Sequence, residues 1–147
     1  MHGGEEFART KDGNNNSYNA PDSVNEVDWS LKKKNFDLFA YVRDVISLRK
    51  AHPMFRLRTR EEVEKRVQFI DASNSKVLMF TINGEGVPGE AWKSICVILN
   101  SDDRAADVTL PAGDWTIAID ENGETPARPV SGSENLSKKS GLVLYQQ

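Results

Sequence analysis

The acids near the start of the chain are the first residues whose types invite chemistry. Glu5 and Glu6 are adjacent, and a glycosidase needs two carboxyls facing one another across a bond, roughly 5 to 10 Å apart. Neighbours in an extended segment point to opposite faces, so adjacency argues against such a pair. Asp12, Asp22 and Asp28 could share a calcium ion, but they lack the alternating oxygen ligands of a calcium loop. His2 and His52 stand far apart, with no His or Cys at metal or triad spacing. His52 reads instead as a cation at a helix C-terminus. Cys96, inside the apolar run Ile95 to Leu99, reads as a buried, inert thiol without a disulfide partner. Trp29, Trp92 and Trp115 could stack on sugar rings. Trp115 alternates with apolar residues and is assigned to a core; Trp92, in a loop flanked by Gly and Pro, stays open.

The elements that would carry these residues follow from periodicity. Residues 1–34 are rich in Gly, Asn, Asp and Ser, and predict an irregular leader. From Asn35 to Ala51 the apolar residues recur at helical spacing, with Asn35 as N-cap, Asp37 in the first turn and Pro53 as the stop. A helix this short is marginal alone, so it is expected to bury three or four of Phe39, Val42, Val45, Ile46 and Leu48. Thr59 and Glu62 are spaced as a capping box for a further short helical turn.

After Val67 the period becomes two. Strands are predicted at Val67 to Ile70, Lys76 to Asn83, Ser94 to Leu99, Ala106 to Leu110, Asp114 to Ile119 and Leu142 to Tyr145. Ser94 to Leu99 is apolar on both faces, which predicts a central strand covered on both sides. Turn residues such as Asn83-Gly84 and Asn122-Gly123 punctuate them. The fold class is therefore mainly β: an antiparallel β-sandwich, or a barrel, after an irregular leader and one α-helix. The domain division is placed at 1–52 and 53–147. With a net charge of -3 spread along the chain, no basic stripe argues for nucleic acid. No apolar run reaches the length of a membrane span.

Several stretches together resemble one family. GEEFARTK and NNNSYNAPDSVNEVDW are similar to the segment after the last barrel strand of type I pullulanases, in the α-amylase superfamily. LRKAHPMFR resembles that family's final barrel helix and exit. TREEVEKRVQFID, WKSICVILN, LPAGDW and SGLVLYQQ resemble its C-terminal β-domain. The resemblance implies the end of a (β/α)8 barrel plus a β-domain that buttresses it. The parent would hydrolyse α-1,6-glucosidic bonds in pullulan and starch. The family's nucleophilic aspartate, acid glutamate and third aspartate belong to barrel strands four, five and seven, and no carboxylate here matches those motifs. No catalytic residue is carried over, and the chain alone is expected to be inactive.

Asn16, Tyr18, Asn19 and Asp22 match positions that the resemblance assigns to the substrate-facing loop. Asn offers donor and acceptor, Asp accepts from hydroxyls, and Tyr adds an aromatic face with a polar tip. The alternative is that these residues hold the loop's shape through bonds to its backbone. Arg9 and Lys11 are expected to serve as ion-pair partners. The implied partners are an α-glucan and the chain's own barrel. No cofactor or metal is expected in this chain; calcium use by the parent and its compartment stay open. Two other function classes remain, a carbohydrate-binding module and a purely structural interaction domain. Exposed coplanar aromatics on the β-domain would favour the former.

Overall fold

A computed structural model describes the backbone of residues 1–147 and all side chains except those of 124–126. The chain forms two compact units, Met1–Asp44 and Val45–Gln147. Their boundary falls inside the long helix α3 (Phe36–Ala51), upstream of the 52/53 division drawn from the sequence.

The first unit is polar and built from short turns. A single 3₁₀ turn spans Glu5–Phe7, α1 is Asp22–Asn25 and α2 is Ser30–Lys34. Pieces this short show no periodicity, so they read as irregular in the sequence. Phe7 supplies the buried apolar centre at 1% exposure, with Trp29 tilted against it at 5.7 Å. Gly4 is required here: at φ 97° it is left-handed, and an added Cβ would lie 2.7 Å from Cδ of Arg9. Asn35 does precede α3, and its carbonyl accepts from the Phe39 N–H. Its Nδ2, however, donates to the Phe7 carbonyl 28 residues upstream.

Helix α3 departs from expectation in its burial. Of the apolar residues assigned to docking, only Leu48 is buried. Phe39 and Val42 are half-buried, while Val45 and Ile46 are exposed, as are Phe36 and Leu38. The helix carries more apolar surface than its surroundings cover.

The second unit is the β-domain. Helix α4 (Arg60–Arg66) starts as predicted, with the Thr59 side chain accepting from the Glu62 N–H at 3.2 Å. Its last residue, Arg66, is buried and donates to the carbonyls of Asn83 and Glu85. Eight strands follow: β1 Val67–Ile70, β2 Val77–Asn83, β3 Ser94–Asn100, β4 Ala106–Thr109, β5 Trp115–Asp120, β6 Gly123–Val130, β7 Ser133–Leu136 and β8 Ser140–Gln146. Six form an antiparallel sheet in the order β1-β2-β3-β8-β5-β6, and β4 pairs with β7 in a second sheet. Two strands, β6 and β7, escape the sequence pattern. GETPARPV carries two prolines, which are tolerated because β6 is an edge strand. SENL offers only Leu136 as a buried residue.

Strand β3 organises the packing. Cys96 and Ile98 point to one face, where they join Met79, Trp115, Ile117 and Leu144 of the large sheet and Val108 and Leu136 of the small one. This is the core of a β-sandwich. Ile95 and Val97 point to the other face and meet Met54, Phe55 and Leu57 from the segment after α3. Each fully buried side chain of this kind contributes roughly 1.5–3 kcal/mol. Trp115 is core, as its alternation predicts, at 3% exposure with Nε1 donating to the Pro111 carbonyl at 2.8 Å. Cys96 is fully buried, and burial pushes its thiol up to about 12, so it is inert as a nucleophile.

Asn100, at the end of β3, is with Arg66 a buried polar residue among the described ones, at 3% exposure. Its Nδ2 donates to the carbonyls of Arg104 and Ser137, each at 2.9 Å, and its Oδ1 accepts from the Asp102 N–H at 3.0 Å. It binds the β3–β4 turn to the turn between β7 and β8. Replacing it with Ala strands those backbone groups, and Asn100→Ala is expected to cost about 2 kcal/mol of stability. Chemical denaturation with unchanged m would confirm that figure; a loss below about 0.5 kcal/mol would contradict the assignment.

Candidate functional site

The loop that carries Asn16, Tyr18, Asn19 and Asp22 is held by other residues. Asn25 is the hub. Its Nδ2 donates to the carbonyls of Ser17 and Ala20, at 2.7 and 2.9 Å. Its Oδ1 accepts from Lys11 Nζ at 3.0 Å, and its carbonyl accepts from Arg9. Lys11 also donates to Ser17 Oγ at 2.6 Å. Arg9 and Lys11 therefore act structurally, but on carbonyl, amide and hydroxyl oxygens instead of the expected carboxylates. The physical reason is placement: both side chains reach Asn25, and neither makes an ion pair with a carboxylate among the described residues.

Asn16, Tyr18, Asn19 and Asp22 are all exposed, Tyr18 at 87%. Their bonding is through the backbone: the Asn16 N–H donates to Asn14 Oδ1 at 3.0 Å, and the Asp22 carbonyl accepts from the Glu26 N–H at 2.7 Å. None of the four side chains makes a hydrogen bond among the described residues. Shape-holding is thus the work of Lys11, Ser17 and Asn25, and the four exposed side chains keep their hydrogen-bonding capacity. Beside the loop, Arg9, Lys11, Asn14, Asn15 and Ser17 with Glu5 wall a cavity of about 440 Å³. The four predicted residues are not on its wall. Asn25 carries no recognisable sequence signal, because its role depends on which carbonyls the turn presents to it.

The remaining candidates resolve individually. Glu5 and Glu6 do not form a facing pair. Glu5 Oε1 contacts His2 Nδ1 at 3.1 Å, and that hydrogen bond lowers the Glu5 carboxyl below its ordinary value. Glu6 Oε2 accepts from the Gly4 N–H at 2.9 Å. Hydrogen bonding from the Ser30 side chain, and then from its N–H to Asp28 Oδ1 at 2.9 Å, lowers Asp28 in the same way. Among the described residues, no group of three or more His, Cys, Asp or Glu could hold a metal ion. No helix there is long and apolar enough to cross a membrane.

His52 differs from its expected role as a cap-like cation. Its backbone is extended, at φ -113° and ψ 103°, which aims the ring at the loop before β3. Nδ1 meets Glu90 Oε1 at 2.7 Å, and the ring stacks on Trp92 at 3.4 Å. Trp92 in turn stacks on Tyr145 at 4.1 Å and 11°. Both faces of Trp92 are occupied, so it offers no ring face to a sugar. On the β-domain Phe69 is the exposed aromatic, at 70%, and it is tilted 53° from Phe80.

Residues 63–123 match the family model of the pullulanase all-beta domain. The chain is 34% identical over 111 residues to the pullulanase of Bacillus subtilis (strain 168), covering 76% of this chain and 15% of that protein. It is 28% identical to the glycogen debranching enzyme of Serratia proteamaculans, covering 98% of this chain and 22% of the relative. The pullulanase structure from Bacillus acidopullulyticus superposes with a TM-score of 0.90 at 38% identity, covering 99% of this chain and 18% of that one. The pullulanase from Anoxybacillus sp. LM18-11, complexed with maltotetraose, superposes at 0.89 with 31% identity, covering 100% of this chain and 21% of that one. The chain spans about a fifth of the length of these relatives or less.

The hub assignment has a direct test. Asn25→Ala removes three side-chain contacts, and the turn it closes is expected to open more often by about 1.4 kcal/mol, tenfold in population. Amide exchange at residues 17–20 should then quicken about tenfold while Ile95 to Leu99 stays protected. Unchanged exchange would show that the turn does not depend on Asn25.

Proposed function

Because this chain is homologous to the C-terminal part of type I pullulanases, we propose that it supplies one wall of a glucan site and a buttress for the catalytic barrel. The parent reaction on this reading is hydrolysis of α-1,6-glucosidic bonds in pullulan and starch, by two carboxylates carried elsewhere in the enzyme. One observation carries the glucan wall. Four exposed side chains of sugar-binding type, Asn16, Tyr18, Asn19 and Asp22, stand unbonded on a turn that other residues hold in shape. Loops after barrel strands lie at the barrel mouth, where such folds place their sites. Neighbouring structures carry maltose and maltotetraose, in the Bacillus subtilis and Anoxybacillus pullulanases.

The buttress reading of the β-domain rests on its surface. A carbohydrate-binding module displays coplanar aromatic faces, but here the coplanar pair Trp92 and Tyr145 is stacked on itself. What is exposed is apolar and contiguous across three strands. Phe69 opposes Phe80, and Leu78 opposes Leu99, with Phe69, Leu78 and Leu99 at 70%, 46% and 44% exposure. A strip of this kind suits protein docking better than a polar ligand.

Two measurements test the proposal. The 147-residue chain, incubated with pullulan at high concentration, is expected to release no reducing ends above a blank; activity surviving repurification would refute it. In the complete enzyme, Tyr18→Ala should remove about 1 kcal/mol of aromatic contact and raise KM for pullulan about fivefold, with little change in kcat. An unchanged KM would remove Tyr18 from the glucan wall.

A further inference from the structure

One polar cluster of the β-domain is not accounted for by glucan binding. Glu90 has a side chain with 0% exposure, yet it is a carboxylate with several donors converging on it. His52 Nδ1 and the N–H groups of Ala91 and Trp92 meet Oε1 at 2.7, 3.0 and 3.0 Å, while the Met54 N–H reaches Oε2 at 3.3 Å. One carboxylate thus ties the chain leaving α3, at His52 and Met54, to the loop before β3. The tie is extended by stacking, from His52 to Trp92 and from Trp92 to Tyr145 in β8.

We propose that Glu90 is an acid-sensitive latch, whose protonation detaches the His52–Met54 segment from the loop before β3 and unstacks His52 from Trp92 while the sandwich stays folded. The inference rests on this cluster alone and is independent of the glucan reading. An ionised carboxylate is acceptor-only and suits a ring of donors; a protonated one adds a donor of its own among them and loses charge-assisted bonding. Burial by itself opposes ionisation of Glu90, but the His52 bond and the N–H groups of Trp92 and Met54 outweigh it, so the carboxyl sits below its ordinary range. The sign follows. A folded-state value below the unfolded one stabilises the closed latch above the ordinary glutamate range, and that stabilisation is lost as pH falls through the folded value.

The flanking groups leave the pair undisturbed. Arg49 on α3 donates to the Phe55 carbonyl, and Arg56 in the turn after α3 donates to the Lys50 carbonyl. Tyr145 faces the pair from β8 through the indole of Trp92. His52 can donate to the carboxylate through Nδ1 both as an imidazolium and as the neutral Nδ1–H tautomer.

Residue-resolved NMR of the 147-residue chain separates local opening from global unfolding. Stacking at 3.4 Å on Trp92 places the ring protons of His52 in the indole ring current. On acidification they are expected to lose that displacement while the Trp115 indole N–H, bonded to Pro111 inside the sandwich, keeps its native position. If His52 and Trp115 move together with one midpoint, the event is global acid unfolding and the latch is refuted. In Glu90→Gln, which does not titrate and whose single amide oxygen can take the Oε1 bonds but not also the Met54 N–H on the second oxygen, His52 should show no local acid transition before global unfolding; persistence of the transition would refute the role of Glu90. Should that variant fail to fold, Trp92→Phe keeps the carboxylate. Its Met54 and Ala91 amide resonances should still report the acid transition, and their indifference to acid would refute the latch.

Discussion

From Ile95 to Ile98, strand β3 has no side that can face water. Cys96 and Ile98 point one way and Ile95 and Val97 the other, and all four are buried. Alternation along a strand makes this unavoidable, because successive side chains leave opposite faces of the sheet. The chain must therefore cover the sheet twice. On one side it does so with β4 and β7, closing a sandwich core. On the other it has no second sheet, and uses Met54, Phe55 and Leu57 from the segment after α3. That segment has little regular structure of its own, only one 3₁₀ turn at Pro53–Arg56. It needs an anchor, and the Glu90 carboxylate with the His52–Trp92–Tyr145 stack provides one. Gly84 belongs to the same arrangement: an added Cβ there would lie 2.7 Å from Sδ of Met54.

The polar first unit solves a different problem. It has one fully buried aromatic, Phe7, and little other apolar surface to define a shape. Conformation is set instead by side-chain hydrogen bonds: Asn25, Arg9 and Asn35 donate to backbone carbonyls, and Lys11 donates to the Ser17 hydroxyl and the Asn25 amide oxygen. Such bonds are worth roughly 1 kcal/mol each, yet several converging on one turn define it well. A consequence is division of labour. Residues that fix the turn are spent on it, and others, such as Tyr18 and Asp22, are left exposed.

The aromatic residues illustrate the same accounting on the β-domain. Trp92 and Tyr145 are of the type that grips sugar, but each uses a face on the other, and the second face of Trp92 is taken by His52. Trp115 lies in the core with its N–H bonded. Residue type alone therefore overstates sugar-binding capacity, and occupancy of the ring faces decides it.

Much of this fold was legible in the sequence because it depends on local rules. Helix α3 shows its period and its Pro53 stop, α4 its Thr59 cap, and the six strands with alternating or doubly apolar patterns appear within one or two residues of their predicted bounds. The burial of Cys96 and Trp115 follows from the same alternation. Strands β6 and β7 depended on tertiary structure, since proline and polar residues become acceptable only where an edge position or a partner strand makes them so. Likewise, nothing local distinguishes Asn25 from the other asparagines, or Glu90 from the other acids. Asn25 is a hub because a folded turn brings two carbonyls to its amide. Glu90 is a buried anion because a residue 38 positions away presents an imidazole to it. The sequence by itself determined which segments form helix and strand; tertiary structure alone decided which polar groups are bonded and which stay exposed, because each bond joins atoms that only folding brings together.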